Sequence, residues 1–287
     1  MEDVVTIVAP GGRGDVQPFV ALGVELDRAG HRVRIAARDD MADLVTGAGL
    51  ERLRAADGLR PPPGDLVIGR SGRADVQVHL RPGIDPASQN GPALLAFSPS
   101  LAPPIGGLPD HAAVTGFWFY DSGEGWHPSA ELEAFLESGP PPVYMGVGAP
   151  HLVREIGLRA VGVGCETGAD APLDWLLPRV AAAVHQGDAQ TASAAARAGI
   201  PSVVLGDDTI WAARLHELGA APPPLAEPTA DSLASALEAT GTQRMRAVAE
   251  RLGRRIRSEG GTVAALAALR AWDLLPAPEL ASASRYL

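Results

Sequence analysis

The sequence predicts an α/β fold in which two Rossmann-like domains face each other across a cleft. In each half of the chain, strand-like and helix-like segments alternate, and each half opens on an apolar strand that ends in a glycine turn. The run Pro140-Pro141-Pro142 separates the halves, because three prolines cannot join a helix or a central strand. We therefore expect an N-terminal domain over residues 1–138 and a C-terminal domain over residues 139–287.

The N-terminal domain begins with a strand, a glycine turn and a helix. Residues 4–9 are apolar and predict a buried strand, the turn spans residues 11–14, and residues 16–29 have a helical pattern. This arrangement places the backbone N–H groups of a helix N-terminus at the edge of a parallel sheet, where α/β proteins bind ligands. Asp15 lies at that place. From the residues alone, its carboxylate either caps the helix or faces the ligand.

The next elements extend the same sheet. Residues 31–37 predict a second strand, and Asp39 or Asp40 can cap a helix that ends near Gly47. A β-α-β-α series of this kind predicts parallel strands. Between residues 60 and 113 prolines interrupt the pattern, and there is little room for helices. Short strands are predicted in that stretch at 65–69, 74–80 and 93–97.

The C-terminal domain repeats the alternation, starting with a strand at residues 143–148 that ends in a second glycine turn. Further strands are predicted at 181–184 and 202–205, and helices at 189–198, 210–218, 231–239, 243–258 and 263–274. The chain therefore contains two successive Rossmann-like halves and no short tandem repeat.

The composition excludes several classes of function. The 287 residues carry a formal net charge of −10, so nucleic acid is not an expected partner. All 24 basic residues are arginine, which excludes lysine Schiff-base chemistry and a P-loop. No apolar run is long enough to span a bilayer, and the single cysteine, Cys165, excludes an internal disulfide. The first residues do not resemble a signal peptide, so we expect a cytoplasmic protein, and the scattered histidines lack metal-ligand spacing.

Several short motifs occur along the chain in an order that is typical of a known family. They are the runs at residues 11–18 (Gly-Gly-Arg-Gly-Asp-Val-Gln-Pro), 97–99 (Phe-Ser-Pro), 114–118 (Val-Thr-Gly-Phe-Trp), 139–144 (Gly-Pro-Pro-Pro-Val-Tyr), 174–179 (Asp-Trp-Leu-Leu-Pro-Arg), 184–187 (Val-His-Gln-Gly), 198–201 (Ala-Gly-Ile-Pro) and 206–211 (Gly-Asp-Asp-Thr-Ile-Trp). The series resembles the bacterial GT-B glycosyltransferases that act on sterols, macrolides and glycopeptides, the UDP-glycosyltransferase-like family. The resemblance covers both ends of the chain and implies a compact GT-B fold.

The resemblance implies a role for each domain: a reduced, acceptor-binding N-terminal domain and a donor-binding C-terminal domain. It implies inverting transfer of a hexose from a nucleotide diphosphate sugar, a co-substrate rather than a cofactor, to a small hydroxylated acceptor such as a polyketide. Asp15 would be the general base of that reaction. The remaining implied site residues are Gly12, Arg13 and Gly14 lining the acceptor side, His185, Gly187 and Thr191 at the diphosphate, Asp207 and Asp208 at the sugar hydroxyls, and Trp175 near the nucleobase. No metal is implied.

Departures from the family pattern concentrate in the donor motif. Where the family has His-His-Gly-Gly-Ala-Gly-Thr, residues 185–191 are His-Gln-Gly-Asp-Ala-Gln-Thr, so Asp188 and Gln190 replace glycines that let phosphate approach the backbone. Ala149 stands in place of a serine and Asp208 in place of a glutamine, and the chain is much shorter than the family norm. These changes support an alternative hypothesis, a GT-B scaffold that has lost donor binding. Such a scaffold would serve an Asp15-assisted cyclisation, elimination or isomerisation, or would bind a metabolite or partner.

Other roles for these residues stay open at the level of sequence. His185 is equally compatible with a structural role, Asp207 and Asp208 with capping the next helix, and Trp175 with packing. A dinucleotide-binding fingerprint is a weaker match to the first turn. Its third glycine is absent, and Asp15 would oppose a pyrophosphate there.

Overall fold

The computed structural model describes residues 4–54, 65–70, 74–80, 82, 91–102, 107–121, 126–146, 150–168, 170–206 and 210–275. Within these ranges the chain forms two compact units. The first contains the described parts of 1–99, 103–120 and 259–287, and the second those of 100–102 and 121–258. Each unit has its own parallel sheet together with helices, so the predicted α/β fold with two Rossmann-like domains is confirmed.

The elements of the described chain are numbered in sequence order. The strands are β1 (Val4–Val8), β2 (Arg32–Ala37), β3 (Glu51–Arg54), β4 (Leu66–Gly69), β5 (Val76–His79), β6 (Ala93–Leu95), β7 (Ala112–Val114), β8 (Val143–Met145), β9 (Ala160–Gly162), β10 (Ala182–His185) and β11 (Ser202–Val204). The helices are α1 (Arg13–Arg28), α2 (Ala42–Thr46), α3 (Ala130–Glu137), α4 (Pro150–Glu155), α5 (Leu173–Leu176), α6 (Ala189–Ala198), α7 (Ile210–Glu217), α8 (Ala230–Thr240), α9 (Gln243–Ser258) and α10 (Gly261–Ala271). None of the helices in the described ranges has the length and apolar character of a bilayer-spanning segment.

The sheet of the first unit contains seven parallel strands within the described chain, in the order β3-β2-β1-β4-β5-β6-β7. Ile7 of β1 lies opposite Ile35 of β2 and Ile68 of β4, and all three side chains are fully buried. The direction in which strands are added reverses between β1 and β4. In open α/β sheets such a switch point, beyond the carboxyl ends of the strands, is the place where ligands bind.

Two neighbouring strands of this sheet are joined by a short connection. β4 ends at Gly69 and β5 begins at Val76, so residues 70–75 link two parallel strands, whereas a helical crossover takes a dozen or more residues. The three short strands predicted between residues 60 and 113 are confirmed as β4, β5 and β6, and the described residues of that stretch form no helix. The described residues of this part of the first unit are accordingly strands and their connections.

The sheet of the second unit has the order β11-β10-β8-β9 and is parallel throughout the described chain. Helices α6 and α9 pack very closely, because a Cβ atom on Gly253 of α9 would lie 2.9 Å from the carbonyl oxygen of Ala196. Gly199 ends α6 with φ of 79°, a left-handed conformation that glycine adopts without strain. The two glycines thereby fix the position of α6, whose N-terminus belongs to the candidate donor site.

The two compact units differ from the predicted domain ranges at two places. Helix α3 precedes residue 138, yet it groups with the second unit, where Leu132 shares a core with Tyr144. Helix α10 lies within the predicted C-terminal domain of residues 139–287. Its Leu266 and Leu269 are nevertheless buried in the core of the first unit beside α1. The burial of these apolar helix faces determines the unit to which each helix belongs. The proline run does not mark the boundary between the units.

Several local predictions are wrong. Helix α1 begins at Arg13 rather than at residue 16. Asp39 and Asp40 do not cap α2, whose N-cap is Met41; Asp39 pairs with Arg52 and Arg54, and Asp40 pairs with Arg38. Strands β3, β7 and β9 and helices α3, α4 and α5 are not predicted by the sequence pattern at all.

Candidate active site

Asp15 is the third residue of α1, at the carboxyl end of β1. The N-cap of this helix is Gly12, whose carbonyl oxygen accepts hydrogen bonds from the backbone N–H of Asp15 at 3.0 Å and of Val16 at 3.1 Å. No side chain caps the helix, so the capping interpretation of Asp15 is wrong. A carboxylate in the first turn is favoured by the partial positive charge of the helix N-terminus.

The Asp15 carboxylate forms an ion pair with Arg70, which follows β4. Arg70 Nη1 donates to Asp15 Oδ1 at 2.6 Å, and the side chains are 36% and 39% exposed, respectively. Since Asp15 follows β1 and Arg70 follows β4, the pair bridges the switch point of the sheet. Pairs this exposed are worth about 0–1 kcal/mol, so a ligand can break this one at little cost.

Glycines leave room around this carboxylate. Gly11 has φ of 129°, and a Cβ atom there would lie 2.6 Å from Oδ2 of Asp15. A side chain at position 11 would therefore displace the carboxylate as well as strain the backbone. Gly12, Arg13 and Gly14 are exposed at the start of α1, and a Cβ atom on Gly12 would meet nothing within 4 Å.

His79 lies at the end of β5, the strand next to β4. Burial lowers the pKa of His79, and the positive charge of Arg70 lowers it further. Its Nε2 atom is buried and has no hydrogen-bond partner among the described residues. The carboxyl edge of the first sheet thus carries Asp15, Arg70 and His79 on three neighbouring strand ends.

The sequence motifs mark neither Arg70 nor His79 as a site residue. A usable signal was present, because both residues stand at the ends of strands that the sequence predicted, 65–69 and 74–80. In a parallel sheet those ends meet at one edge together with the end of β1. The residues at and just after the end of each predicted strand include both.

His185 of the second unit is fully buried at the end of β10. Its Nδ1 atom accepts a hydrogen bond from the backbone N–H of Gly187 at 3.0 Å, which leaves the ring proton on Nε2. Burial lowers the pKa of His185 to about 4, although the carboxylate of Asp188 acts in the opposite direction. At neutral pH this histidine is therefore an uncharged group, and its Nε2 has no hydrogen-bond partner among the described residues.

Asp188 caps helix α6, the helix that the resemblance assigns to the diphosphate. Its Oδ1 atom accepts a hydrogen bond from the backbone N–H of Thr191 at 2.8 Å. Gly187, with φ of 74°, forms the turn into the helix. The negative charge of Asp188 also contributes, after burial, to raising the pKa of Tyr144 to about 12. One of the N–H groups that a phosphate would take is thus already bonded to a carboxylate of the chain itself.

Trp175 is packed against two side chains of its own unit. Its ring lies 5.0 Å from the ring of Trp126 at 59°, and the guanidinium of Arg179 lies over it, 4.1 Å from the ring centre. Such contacts stabilise the ring where it stands. Asp207 and Asp208 lie outside the described residues. Among the residues that are described, no group of three or more His, Cys, Asp or Glu side chains is arranged to hold a metal ion.

The buried state of His185 predicts a pH dependence of stability. The unfolded chain protonates this histidine near its ordinary pKa of 6.5, whereas the folded chain does so only near 4. The contribution of neutral His185 to the free energy of unfolding is therefore complete above pH 6.5 and is lost as the pH falls from 6.5 towards 4. At pH 5 the loss is about 2 kcal/mol. Urea unfolding at pH 7.5 and pH 5 measures this loss.

A matched pair of variants isolates the contribution of His185. In His185→Asn, the Asn oxygen can still accept the bond from Gly187, and the free energy of unfolding should depend less on pH. His151→Asn, which changes an exposed histidine of α4, should keep the pH dependence of the wild-type protein. An equal pH dependence in wild type and His185→Asn would contradict the assignment.

The chain is similar to known proteins in both of its units. Residues 5–58 match the glycosyltransferase family 28 N-terminal domain, and residues 151–262 match the erythromycin biosynthesis protein CIII-like C-terminal domain. The O-mycaminosyltylonolide 6-deoxyallosyltransferase of Streptomyces fradiae is 28% identical over 410 aligned positions, which cover 93% of this chain and 97% of that protein. The alignment has 410 positions and this chain has 287 residues, so part of the aligned relative stands opposite gaps in this chain.

Two further likenesses cover different shares of the chain. A sterol 3-beta-glucosyltransferase of Aspergillus fumigatus is 30% identical over 220 residues, which cover 62% of this chain and only 16% of that protein. The crystal structure of the glycotransferase of kitacinnamycin superposes with a TM-score of 0.72 at 16% identity, over 95% of this chain and 99% of that one. The fold is therefore that of a GT-B protein.

The match at residues 5–58 lies in the first unit, and the match at 151–262 lies in the second unit up to residue 258. The chain belongs to the UDP-glycosyltransferase-like family of GT-B glycosyltransferases, as the motif series predicts.

Proposed function

We propose that this protein is an inverting glycosyltransferase of secondary metabolism that transfers a hexose from a nucleotide diphosphate sugar to a small hydroxylated acceptor. In this proposal the first unit binds the acceptor and the second unit binds the donor, which enters as a co-substrate. The observation that carries the proposal is the position of Asp15. Its half-exposed carboxylate stands at the carboxyl end of β1, at the switch point of the sheet, in a chain of glycosyltransferase ancestry.

The proposed chemistry is a single displacement with Asp15 as general base. The carboxylate accepts the proton of the acceptor hydroxyl as that oxygen attacks C1 of the sugar from the face opposite the diphosphate. The bond between C1 and the phosphate oxygen breaks, and the nucleoside diphosphate leaves with the electron pair. An unpaired oxygen of Asp15 is needed for this step, so Arg70 must first release Oδ1 or the hydroxyl must approach Oδ2.

The donor side of the proposal rests on the loop between β10 and α6. The N-terminus of α6, with Gly187 and Thr191, supplies backbone N–H groups of the kind that bind phosphate, and the Nε2–H of His185 is a further donor. Asp188 opposes an anion at the same place. We therefore propose weak donor binding, with Trp175 near the nucleobase and Asp207 and Asp208 near the sugar as the resemblance implies.

Calorimetric titration of the protein with UDP, dTDP and GDP tests this function. We expect one of them to bind with a dissociation constant in the millimolar range or tighter, and the corresponding hexose donor to yield a glycosylated product by mass spectrometry with a panel of hydroxylated acceptors. Orthophosphate serves as the control for unspecific anion binding. Absence of binding by all three nucleotides at millimolar concentration would overturn the proposal.

A further inference from the structure

We infer that Arg70 selects acceptors that carry a carboxylate close to the hydroxyl that is glycosylated. This inference rests on the proposed function and names the substrate class of the same site. The selection works by exchange: the guanidinium of Arg70 leaves Asp15 for the carboxylate of the acceptor. Asp15 is thereby freed at the moment when the acceptor hydroxyl arrives.

The ion pair of the resting protein places Arg70 where such an exchange is possible. Arg70 Nη1 contacts Asp15 through one oxygen only, Oδ1, so the pair is not the bidentate arrangement that holds an arginine and a carboxylate most firmly. Both side chains are more than a third exposed, so an acceptor can reach them from solvent. Asp15 is the partner that Arg70 has among the described residues.

A neutral acceptor has no negative charge with which the Arg70 guanidinium could replace its ion pair with Asp15. It would leave the guanidinium on Oδ1, so that only Oδ2 of the base would remain for the acceptor hydroxyl. A carboxylate, in contrast, matches the planar fork of an arginine with two parallel hydrogen bonds. The ion pair between Arg70 and Asp15 therefore favours acceptors that carry a carboxylate.

The surroundings of Arg70 support a bound acid in a second way. His79, on the neighbouring strand β5, has a buried Nε2 atom with no hydrogen-bond partner among the described residues. Buried polar atoms are normally paired, so a polar ligand at this edge would supply what the described chain does not. The burial and the charge of Arg70 that lower the pKa of His79 keep this ring neutral, so it does not repel the Arg70 guanidinium.

Calorimetry without nucleotide tests the inference with mandelate, whose hydroxyl adjoins its carboxylate, and with its neutral analogue mandelamide. We expect mandelate to bind the wild-type protein at least tenfold more tightly than mandelamide. Arg70→Gln should abolish this preference. Asp15→Asn should have the opposite effect and tighten mandelate binding severalfold, because the internal competitor for the guanidinium has lost its charge.

Arg32→Gln is the matched control, since Arg32 is also an exposed arginine paired with a carboxylate, Glu51, but lies at the start of β2. It should retain the preference for the acid. Equal binding of acid and amide, no binding of mandelate at about 10 mM, or an unchanged preference in Arg70→Gln would each overturn the inference. Because the titration contains no nucleotide, failure of the transferase proposal appears separately, as absent binding of UDP, dTDP and GDP.

Discussion

Removing the charge of Asp188 is expected to tighten the binding of a nucleoside diphosphate to the second unit by about 10- to 100-fold. At ~5 Å and an effective dielectric constant near 20, a carboxylate and one phosphate charge repel each other by about 3 kcal/mol. The Asp188 side chain is exposed, so water and salt reduce this repulsion, and about 1.4 to 2.8 kcal/mol remains as the expected gain. Where the side chain itself is removed, as in Asp188→Gly, the N–H of Thr191, now bonded to Asp188, also becomes available to the phosphate.

Two substitutions separate the charge of Asp188 from its capping of α6. Asparagine is as good an N-cap as aspartate, so Asp188→Asn removes the charge and keeps the cap. Asp188→Gly removes both and restores the glycine of the family pattern, at a cost of a few tenths of a kcal/mol in stability. Calorimetry with UDP should show tighter binding in both variants.

A charge-matched control is Asp231→Asn, which removes a carboxylate from the first turn of α8 in the same unit. It should leave the affinity for UDP at the wild-type value. If Asp188→Asn binds UDP no better than the wild-type protein does, repulsion by Asp188 is not what weakens the donor site.

Regular elements of the fold could be predicted wherever the apolar pattern is long. The prediction of a helix at 189–198 matches α6, because Gly199 ends it sharply and its alanines leave one continuous buried face. β3 and β7 were missed for opposite reasons. β3 is rich in charge and none of its residues is fully buried, whereas β7 has three small residues and no period to detect. Short strands of this kind form because a neighbouring strand offers hydrogen bonds, which the local sequence does not reveal.

The domain division depended on contacts that are distant in sequence. α10 follows α9 closely along the chain, but its Leu266 and Leu269 are buried with Phe19 of α1 in the first unit. Ser98 Oγ also donates to Glu259, just before α10, at 2.7 Å. No local signal distinguishes α10 from the helices before it, so the predicted range 139–287 includes it although its leucines are buried in the first unit.

The candidate site was predicted where a motif marks it and missed where only geometry does. Asp15, His185 and Thr191 are candidates that the family pattern names, whereas that pattern marks Asp188 only as the replacement of a glycine and does not predict its cap. Arg70 belongs to no motif. Its partnership with Asp15 arises because β4 lies beside β1 in the sheet, a neighbourhood that follows from the strand order and not from the spacing of 55 residues.

Asp15→Asn is expected to lower the turnover number for glycosyl transfer by about a hundredfold to ten-thousandfold, the range that a positioned general base contributes. Asparagine keeps an oxygen at the position that Arg70 contacts, so the start of α1 should stay in place. It cannot take up the proton of the acceptor hydroxyl. The loss should therefore fall on the chemical step, and the affinity for UDP should stay unchanged because in this proposal Asp15 acts on the acceptor hydroxyl and not on the nucleotide.

The control for this variant lies on the same helix. Asp27→Asn removes an exposed carboxylate from the last turn of α1, far along the helix from the sheet edge, and should leave turnover unchanged. Single-turnover product formation with a nucleotide hexose measures the chemical step for both variants. If Asp15→Asn keeps the wild-type rate, the carboxylate acts only on the helix N-terminus, a contribution of about 0.3–1 kcal/mol to stability, and the base must be sought elsewhere. His79, whose Nε2 atom is unbonded among the described residues, would then be the next side chain of this sheet edge to replace, although burial and the charge of Arg70, which lower its pKa, oppose its protonation.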